Sequence, residues 1–143
     1  HKLNVPDREP YRRAKELTEE PERVLPRGGQ GVIARTLGRV LSEDFEGRVP
    51  VYAGTVERTH THLLLGPCCY PIDNFIGRIK GKTSSAVIRE GDEPWRTRTW
   101  THGFWKVFVF DVTAIPDIQD YIEDHNRRRG LPPAPYPWIT PFI

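Results

Sequence analysis

VPVYAGTVERTHTHLLL, residues 49–65, has the composition and the spacing of two successive β-strands. Val49 to Glu57 predicts the first strand and Thr59 to Leu65 the second, because both segments are rich in β-branched and apolar residues. Arg58 and its neighbours leave room only for a tight connection between them. This stretch therefore predicts a pair of adjacent strands at the centre of the fold.

Apolar residues at helical spacing flank this pair of strands. Residues 30–43 predict a helix that Gly47 ends, and residues 72–90 predict a second amphipathic helix. Pro116 suits the first turn of a third helix, and Gly130 suits a position just past its end. Three helices around short strands indicate an α+β domain.

The remaining segments complete this prediction. A strand end is expected at residues 1–5, a short helix within 10–20 and a strand at 106–110, whereas the tail from Leu131 holds five prolines in 13 residues and should be extended. We expect an antiparallel sheet with helices packed mainly on one face. The other face, or an edge, would remain available for a ligand.

Composition sets only broad bounds. The 143 residues suit one domain, and 37% hydrophobic and 28% charged residues are typical of a globular protein. A net charge of +2 neither requires nor excludes a nucleic-acid partner. The adjacent Cys68 and Cys69 suggest no disulfide framework, so we expect a reducing, cytoplasmic compartment and no membrane association. Since the chain begins at His1 and lacks Met, we expect the native start upstream.

His60 and His62 are candidate metal ligands. Side chains two residues apart on a strand project from the same side, so both imidazoles can share one ion. Taken alone, this spacing also fits histidines that serve only in packing or lie on the surface.

Tyr121 and His125 lie four residues apart on the third predicted helix, which places both side chains on one face. Taken alone, this spacing also fits a tyrosine at the edge of the core and a half-exposed histidine. Together with the two strand histidines, the set suits a phosphodiester cleavage in which a tyrosine attacks phosphorus and a divalent ion polarises the phosphate. His125 would be the third metal ligand and would couple metal binding to the placement of Tyr121.

Four blocks follow one another in an order that a known family shares. They are a His-x-His strand, a helix with a Lys-Gly-Lys-Thr-Ser core, a Trp-x-x-Gly-aromatic-aromatic segment and a Tyr-Ile-x-x-His helix, at residues 58–65, 75–85, 100–105 and 121–125. The sequence thereby resembles the single-tyrosine HUH transposases of small insertion sequences and the REP-associated tyrosine transposases. Thr61 stands where the family usually has a more apolar residue. The resemblance covers roughly residues 49–129, whereas residues 1–27 and the proline-rich tail match poorly.

The resemblance implies a ferredoxin-like or RRM-like sheet within a single catalytic domain, residues 1–143. It further implies a Mg or Mn site at His60, His62 and His125, with Tyr121 as the nucleophile. Single-stranded or hairpin DNA would be the substrate, cut and rejoined through a covalent phosphotyrosine. A homodimer with the tyrosine helix supplied in trans and a monomer both occur among such proteins.

Basic and aromatic residues extend this hypothesis to DNA contacts. Candidates for phosphate contacts lie on the second and third predicted helices, and an aromatic residue is a candidate for stacking on unpaired bases; they are Arg78, Lys80, Lys82, Arg127, Arg128 and Trp105. Basic residues at such positions also occur simply as solvated helix faces.

Two other functions remain open at this point. A relative that binds a DNA or RNA hairpin without cutting it would keep the basic surface, and a small metal-dependent hydrolase would use the two strand histidines without a covalent step.

Overall fold

A computed structural model of the chain describes residues 25, 28–90 and 112–142. Helix α1 spans Gly29–Arg39 and continues as a π-helical turn, Val40–Asp44; the other elements are β1 Val51–Val56, β2 Thr61–Leu65, α2 Ile72–Glu90, a 3₁₀ turn Val112–Ala114 and α3 Ile115–Arg128. The three helices and the strand pair confirm the predicted α+β class. The elements predicted at residues 1–5, 10–20 and 106–110 lie outside the described residues.

The two strands form an antiparallel hairpin. Thr55 lies opposite His62, and Val56 lies opposite Thr61. The backbone N–H of Glu57 donates to the carbonyl oxygen of His60 at 2.9 Å, which closes a tight turn as the sequence predicts. Glu57 and His60 are therefore direct neighbours across the hairpin.

Each face of this two-stranded sheet packs against helices. Helices α1 and α2 cover one face with a large buried cluster that includes Ile33, Leu37, Val56, Phe75 and Val87. Helix α3 covers the other face with a smaller cluster formed by Ala53, Leu64, Ala114, Ile118 and Ile122. Since side chains alternate along a strand, Leu63 and Leu65 face the first cluster while Leu64 and His62 face α3. Two of the three helices thus share one face.

Directed hydrogen bonds hold the C-terminal end of α3 on β1. Asn126 is completely buried, and its Nδ2 donates to the carbonyl oxygens of Gly54 at 2.9 Å and Pro133 at 3.0 Å. Nη1 of Arg129 donates to the carbonyl oxygen of Val56 at 2.8 Å and to Oγ1 of Thr55 at 3.1 Å. The bonds to the carbonyl oxygens of Gly54 and Val56 satisfy backbone groups of β1 at the edge that faces away from β2.

The tail adds two aromatic rings to the same edge. The hydroxyl of Tyr136 accepts a hydrogen bond from the backbone N–H of Val56 at 3.2 Å, and the indole of Trp138 donates to the carbonyl oxygen of Ala34 at 2.9 Å. A Cβ at Gly54 would lie 2.9 Å from the Trp138 ring, so only glycine permits this close approach. We call Asn126, Arg129, Tyr136 and Trp138, with their contacts on β1, the fastening region.

The end of α3 has the backbone geometry that its sequence predicts. Gly130 has φ +76°, and the N–H of Leu131 donates to the carbonyl oxygen of Asn126 at 3.0 Å. The N–H of Gly130 donates to the carbonyl oxygen of Arg127 at 3.0 Å, which completes a Schellman motif. Beyond it, the described part of the tail contains no helix, as predicted. Within the described residues, no helix has the length and apolarity needed to cross a membrane.

Candidate active site

Five polar side chains from the hairpin and α3 meet beside the turn between the strands. The rings of His60 and His62 lie 4.6 Å apart, and the ring of His125 lies 5.2 Å from that of His62. Tyr121 completes the group, with its ring 5.1 Å from His125 and 6.3 Å from His62. We call these four residues and Glu57 the histidine site.

Helix geometry explains why Tyr121 and His125 both reach the hairpin. They lie four residues apart, on the same face of α3. Ile118 and Ile122 pack into the cluster against Ala53 and Leu64 and hold this face on the strands. Tyr121 lies at the margin of that cluster and is half-buried, so its ring contacts the core while its edge reaches the histidines.

Glu57 is a member of the site that the sequence analysis did not identify. Its Oε2 lies 2.7 Å from Nε2 of His60 and 3.1 Å from Nδ1 of His125. The signal was present in the sequence, because a tight turn at Arg58 places Glu57 directly opposite His60 on the same side of the hairpin. A cross-strand pairing of the predicted strands would have revealed it.

The site contains donors that suit a divalent ion. Glu57, His62 and His125 each offer a ligand atom within 4.8 Å of those of the other two, which makes them a candidate metal group among the described residues. His60 lies just beside this group: its Nε2 contacts Glu57, and its Nδ1 lies 2.9 Å from Oγ1 of Thr59. Imidazole nitrogens with one carboxylate oxygen form a donor set compatible with divalent metals.

Most of the described basic residues of α2 lie away from the histidine site. Arg78 forms an ion pair with Asp44 at 3.2 Å, and the exposed Lys82 lines a groove between α1 and α2. This groove lies in the layer formed by α1 and α2, which packs on the sheet face opposite α3. Lys80 is half-buried on the same helix. The residue proposed for base stacking, Trp105, lies outside the described residues.

Acidic neighbours surround Arg127 near the end of α3. Its guanidinium contacts Asp124 at 2.5 Å and Glu123 at 3.2 Å. The hydrogen bond that Arg127 donates to the Asp124 carboxylate raises the pKa of Arg127. Burial raises the pKa of Glu123 against the opposing effect of Arg127. Arg127 is thus already compensated, and Arg128 beside it is exposed.

Comparison with known proteins identifies the family. The chain matches the family described as IS200-like transposases over residues 33–125, which is well over half of its length. Neither the curated proteins nor the solved structures include a significant match. The family match confirms the resemblance seen in the motifs, and it contains every residue of the histidine site. The chain therefore belongs to the IS200-like transposase family and has a role in DNA processing.

Proposed function

We propose that this transposase nicks and rejoins single-stranded or hairpin DNA through a covalent 5′-phosphotyrosine at Tyr121. His60, His62 and His125 are the proposed metal ligands, with Mg or Mn as the ion. One observation carries the proposal: α3 places the Tyr121 ring 5.1 Å from His125 and 6.3 Å from His62. A potential nucleophile thereby lies beside donors that can hold a divalent ion.

The covalent step follows from the chemistry of a phenol. The Oη of Tyr121 attacks the scissile phosphorus and forms a Tyr–O–P bond while the P–O3′ bond breaks. The phenolic proton leaves to solvent or to a nearby base, and the departing 3′ oxygen takes up a proton. In the reverse direction a 3′ hydroxyl attacks the phosphotyrosine and releases Tyr121. One phosphodiester is exchanged for another ester, so rejoining needs no external source of energy.

The divalent ion, when bound, polarises the scissile phosphate and offsets the negative charge that grows in the transition state. The protein's own part is to hold donors and nucleophile in a fixed relation. His60 and His62 come from one strand, and His125 comes from the same helix turn as Tyr121. Metal binding and placement of the nucleophile are therefore coupled through α3.

The contacts of α3 also support a reaction within one chain. Asn126 and Arg129 bond the helix to β1 of the same domain, directly after His125. A tyrosine held in this way can act in cis, so the proposed chemistry does not require a homodimer.

The test is formation of a covalent adduct with DNA. Wild-type protein, incubated with Mn²⁺ and a labelled single-stranded hairpin from the DNA flanking the gene, should yield labelled protein on a denaturing gel. Tyr121→Phe retains the ring but lacks the attacking oxygen, so its adduct should fall below detection. Tyr70→Phe is the matched control, because Tyr70 packs on Phe45 away from the site and should form adduct normally.

Mass spectrometry of the digested adduct should locate the nucleotide on the peptide that contains Tyr121. An adduct on another residue, or undiminished adduct from Tyr121→Phe, would exclude the proposed nucleophile. Cut DNA without adduct would instead indicate a hydrolase, and intact DNA that remains bound would indicate a binding protein.

A further inference from the structure

The carboxylate of Glu57 occupies an unusual position in the histidine site. Its Oε2 is buried from solvent and accepts no hydrogen bond of acceptable geometry from the described residues. Two imidazole nitrogens nevertheless approach it, His60 Nε2 at 2.7 Å and His125 Nδ1 at 3.1 Å. When several ligand atoms point towards one metal position, they lie close to one another without the alignment that a hydrogen bond requires.

These separations match those of ligands around a single ion. With metal–ligand bonds of about 2.1 Å, ligands at right angles on an octahedral ion lie about 3 Å apart, and opposite ligands lie about 4.2 Å apart. The two Glu57 contacts fit neighbouring positions. The ligand atoms of Glu57, His62 and His125 all lie within 4.8 Å of one another, which is compatible with three ligands of one ion.

We propose that Glu57 is a metal ligand in this chain and binds the divalent ion beside the histidines. This inference rests on the proposed metal site and adds an anionic oxygen to a set of neutral nitrogens. A carboxylate lowers the net charge of the occupied site from +2 to +1, and it suits hard ions such as Mg²⁺ and Mn²⁺. Glu57 therefore directs the site towards those ions, whereas imidazoles alone also suit Zn²⁺.

The hairpin explains how this ligand is held. Glu57 ends β1 and pairs with His60 across the tight turn, where its backbone N–H donates to the carbonyl oxygen of His60 at 2.9 Å. The backbone of Glu57 is thereby held beside that of His60 within the hairpin, and α3 adds His125. Three segments of the fold thus converge on one point.

The experiment measures metal binding to the full chain by titration calorimetry, with Mn²⁺ and Zn²⁺ in parallel. Glu57→Gln preserves the shape of the side chain but removes its charge, and it should weaken Mn²⁺ binding by about 10–100-fold. Zn²⁺ binding should weaken less, because the imidazoles remain. Glu46→Gln is the matched control: Glu46 is an exposed residue in the loop before β1 and should leave both affinities unchanged.

The spectrum of bound Mn²⁺ in electron paramagnetic resonance should also change in Glu57→Gln. Unchanged Mn²⁺ affinity in Glu57→Gln would overturn the inference. An equal loss of Mn²⁺ and Zn²⁺ affinity would also overturn it, because a residue that only positions the histidines affects the binding of both ions alike. If Glu57→Gln fails to fold, Glu57→Asp serves instead, with selective loss of Mn²⁺ expected and an unchanged or equal effect contradicting the assignment.

The adduct assay separates this inference from the proposed function. If the wild type forms adduct and Glu57→Gln binds Mn²⁺ as tightly as the wild type, Glu57 is excluded as a metal ligand and the tyrosine mechanism is upheld. Selective loss of Mn²⁺ binding without any adduct in the wild type would uphold Glu57 as a ligand and exclude the tyrosine mechanism.

Discussion

The fastening region and the histidine site lie on the same helix but are built in opposite ways. In the fastening region, side chains bond to backbone groups: Asn126 to Gly54 and Pro133, and Arg129 to Val56. In the histidine site, side chains meet other side chains, and Glu57, His62 and His125 are all partly accessible. One region has fixed backbone partners, whereas the other presents titratable groups to one another.

Adjacent residues of α3 therefore have separate roles. His125 faces the other ligands, and the next residue, Asn126, is completely buried against β1. The family match ends at residue 125, so the hydrogen bonds that fasten the helix come from residues just outside it. We infer that the fastening region supplies stability and precise placement, while the histidine site supplies chemistry at little gain in stability.

The largest effect expected from this comparison concerns Asn126. Replacement by Ala leaves the carbonyl oxygens of Gly54, in a buried contact, and of Pro133, in a partly buried one, without their donor. This loss should lower the free energy of unfolding by about 2–4 kcal/mol. Urea denaturation followed by circular dichroism measures this change. Tyr121→Phe should change the same quantity by less than about 1 kcal/mol, because its ring and packing remain.

The two variants should therefore behave in opposite ways. Asn126→Ala should retain part of its adduct formation under conditions where it is folded, whereas Tyr121→Phe should retain none. A stable Asn126→Ala protein, or a strongly destabilised Tyr121→Phe protein, would contradict the division of tasks along α3.

Much of this arrangement could be predicted from local sequence patterns. The period of apolar residues indicated all three described helices, and the composition of residues 49–65 indicated the hairpin. Strand alternation placed His60 and His62 together, and helical spacing added His125 to Tyr121. Each of these relations spans only a few residues, so local geometry determines it.

The rest depends on contacts between distant segments. A tail rich in proline predicts an extended chain but not the docking of Trp138 between α1 and β1. The π-helical turn at Val40–Asp44 is a local change in backbone hydrogen bonding, and the periodicity of apolar residues does not reveal it. Nor does spacing reveal that Lys82 lies on the face opposite α3. Glu57 lies between these two cases, because pairing the two predicted strands would have been enough to place it beside His60.

A smaller effect is expected for the basic residues on that opposite face. If Lys82 contacts DNA phosphates, Lys82→Glu should weaken hairpin binding several-fold and reduce the slope of log affinity against log salt by about 0.7 for single-stranded DNA. Fluorescence anisotropy over a range of salt concentrations measures both quantities. Arg127→Gln is the comparison, because Asp120, Glu123 and Asp124 already compensate its charge, and its slope should change less.

The same experiment can exclude Lys82 from the proposed DNA-binding surface. An unchanged slope for Lys82→Glu would show that its groove is a solvated face. Arg78 is better tested as Gln than as Glu, since a carboxylate beside Asp44 would add a repulsion unrelated to DNA.

The smallest effect concerns the glycine that ends α3. Gly130 has φ +76° and open space around its Cα, so an Ala there meets no neighbour but must adopt a left-handed conformation. Gly130→Ala should lower the free energy of unfolding by about 1 kcal/mol.

Gly81 is the matched control, because it lies within α2, also with open space around it but in ordinary helical conformation. Gly81→Ala should raise the free energy of unfolding by about 0.4–1 kcal/mol. Thermal or urea denaturation of both variants measures the two signs directly. If Gly130→Ala were neutral or stabilising, the Schellman motif would not be needed to turn the chain from α3 into the tail. Opposite signs would show that the left-handed backbone conformation at Gly130, and not the space around it, decides the effect of an added methyl group.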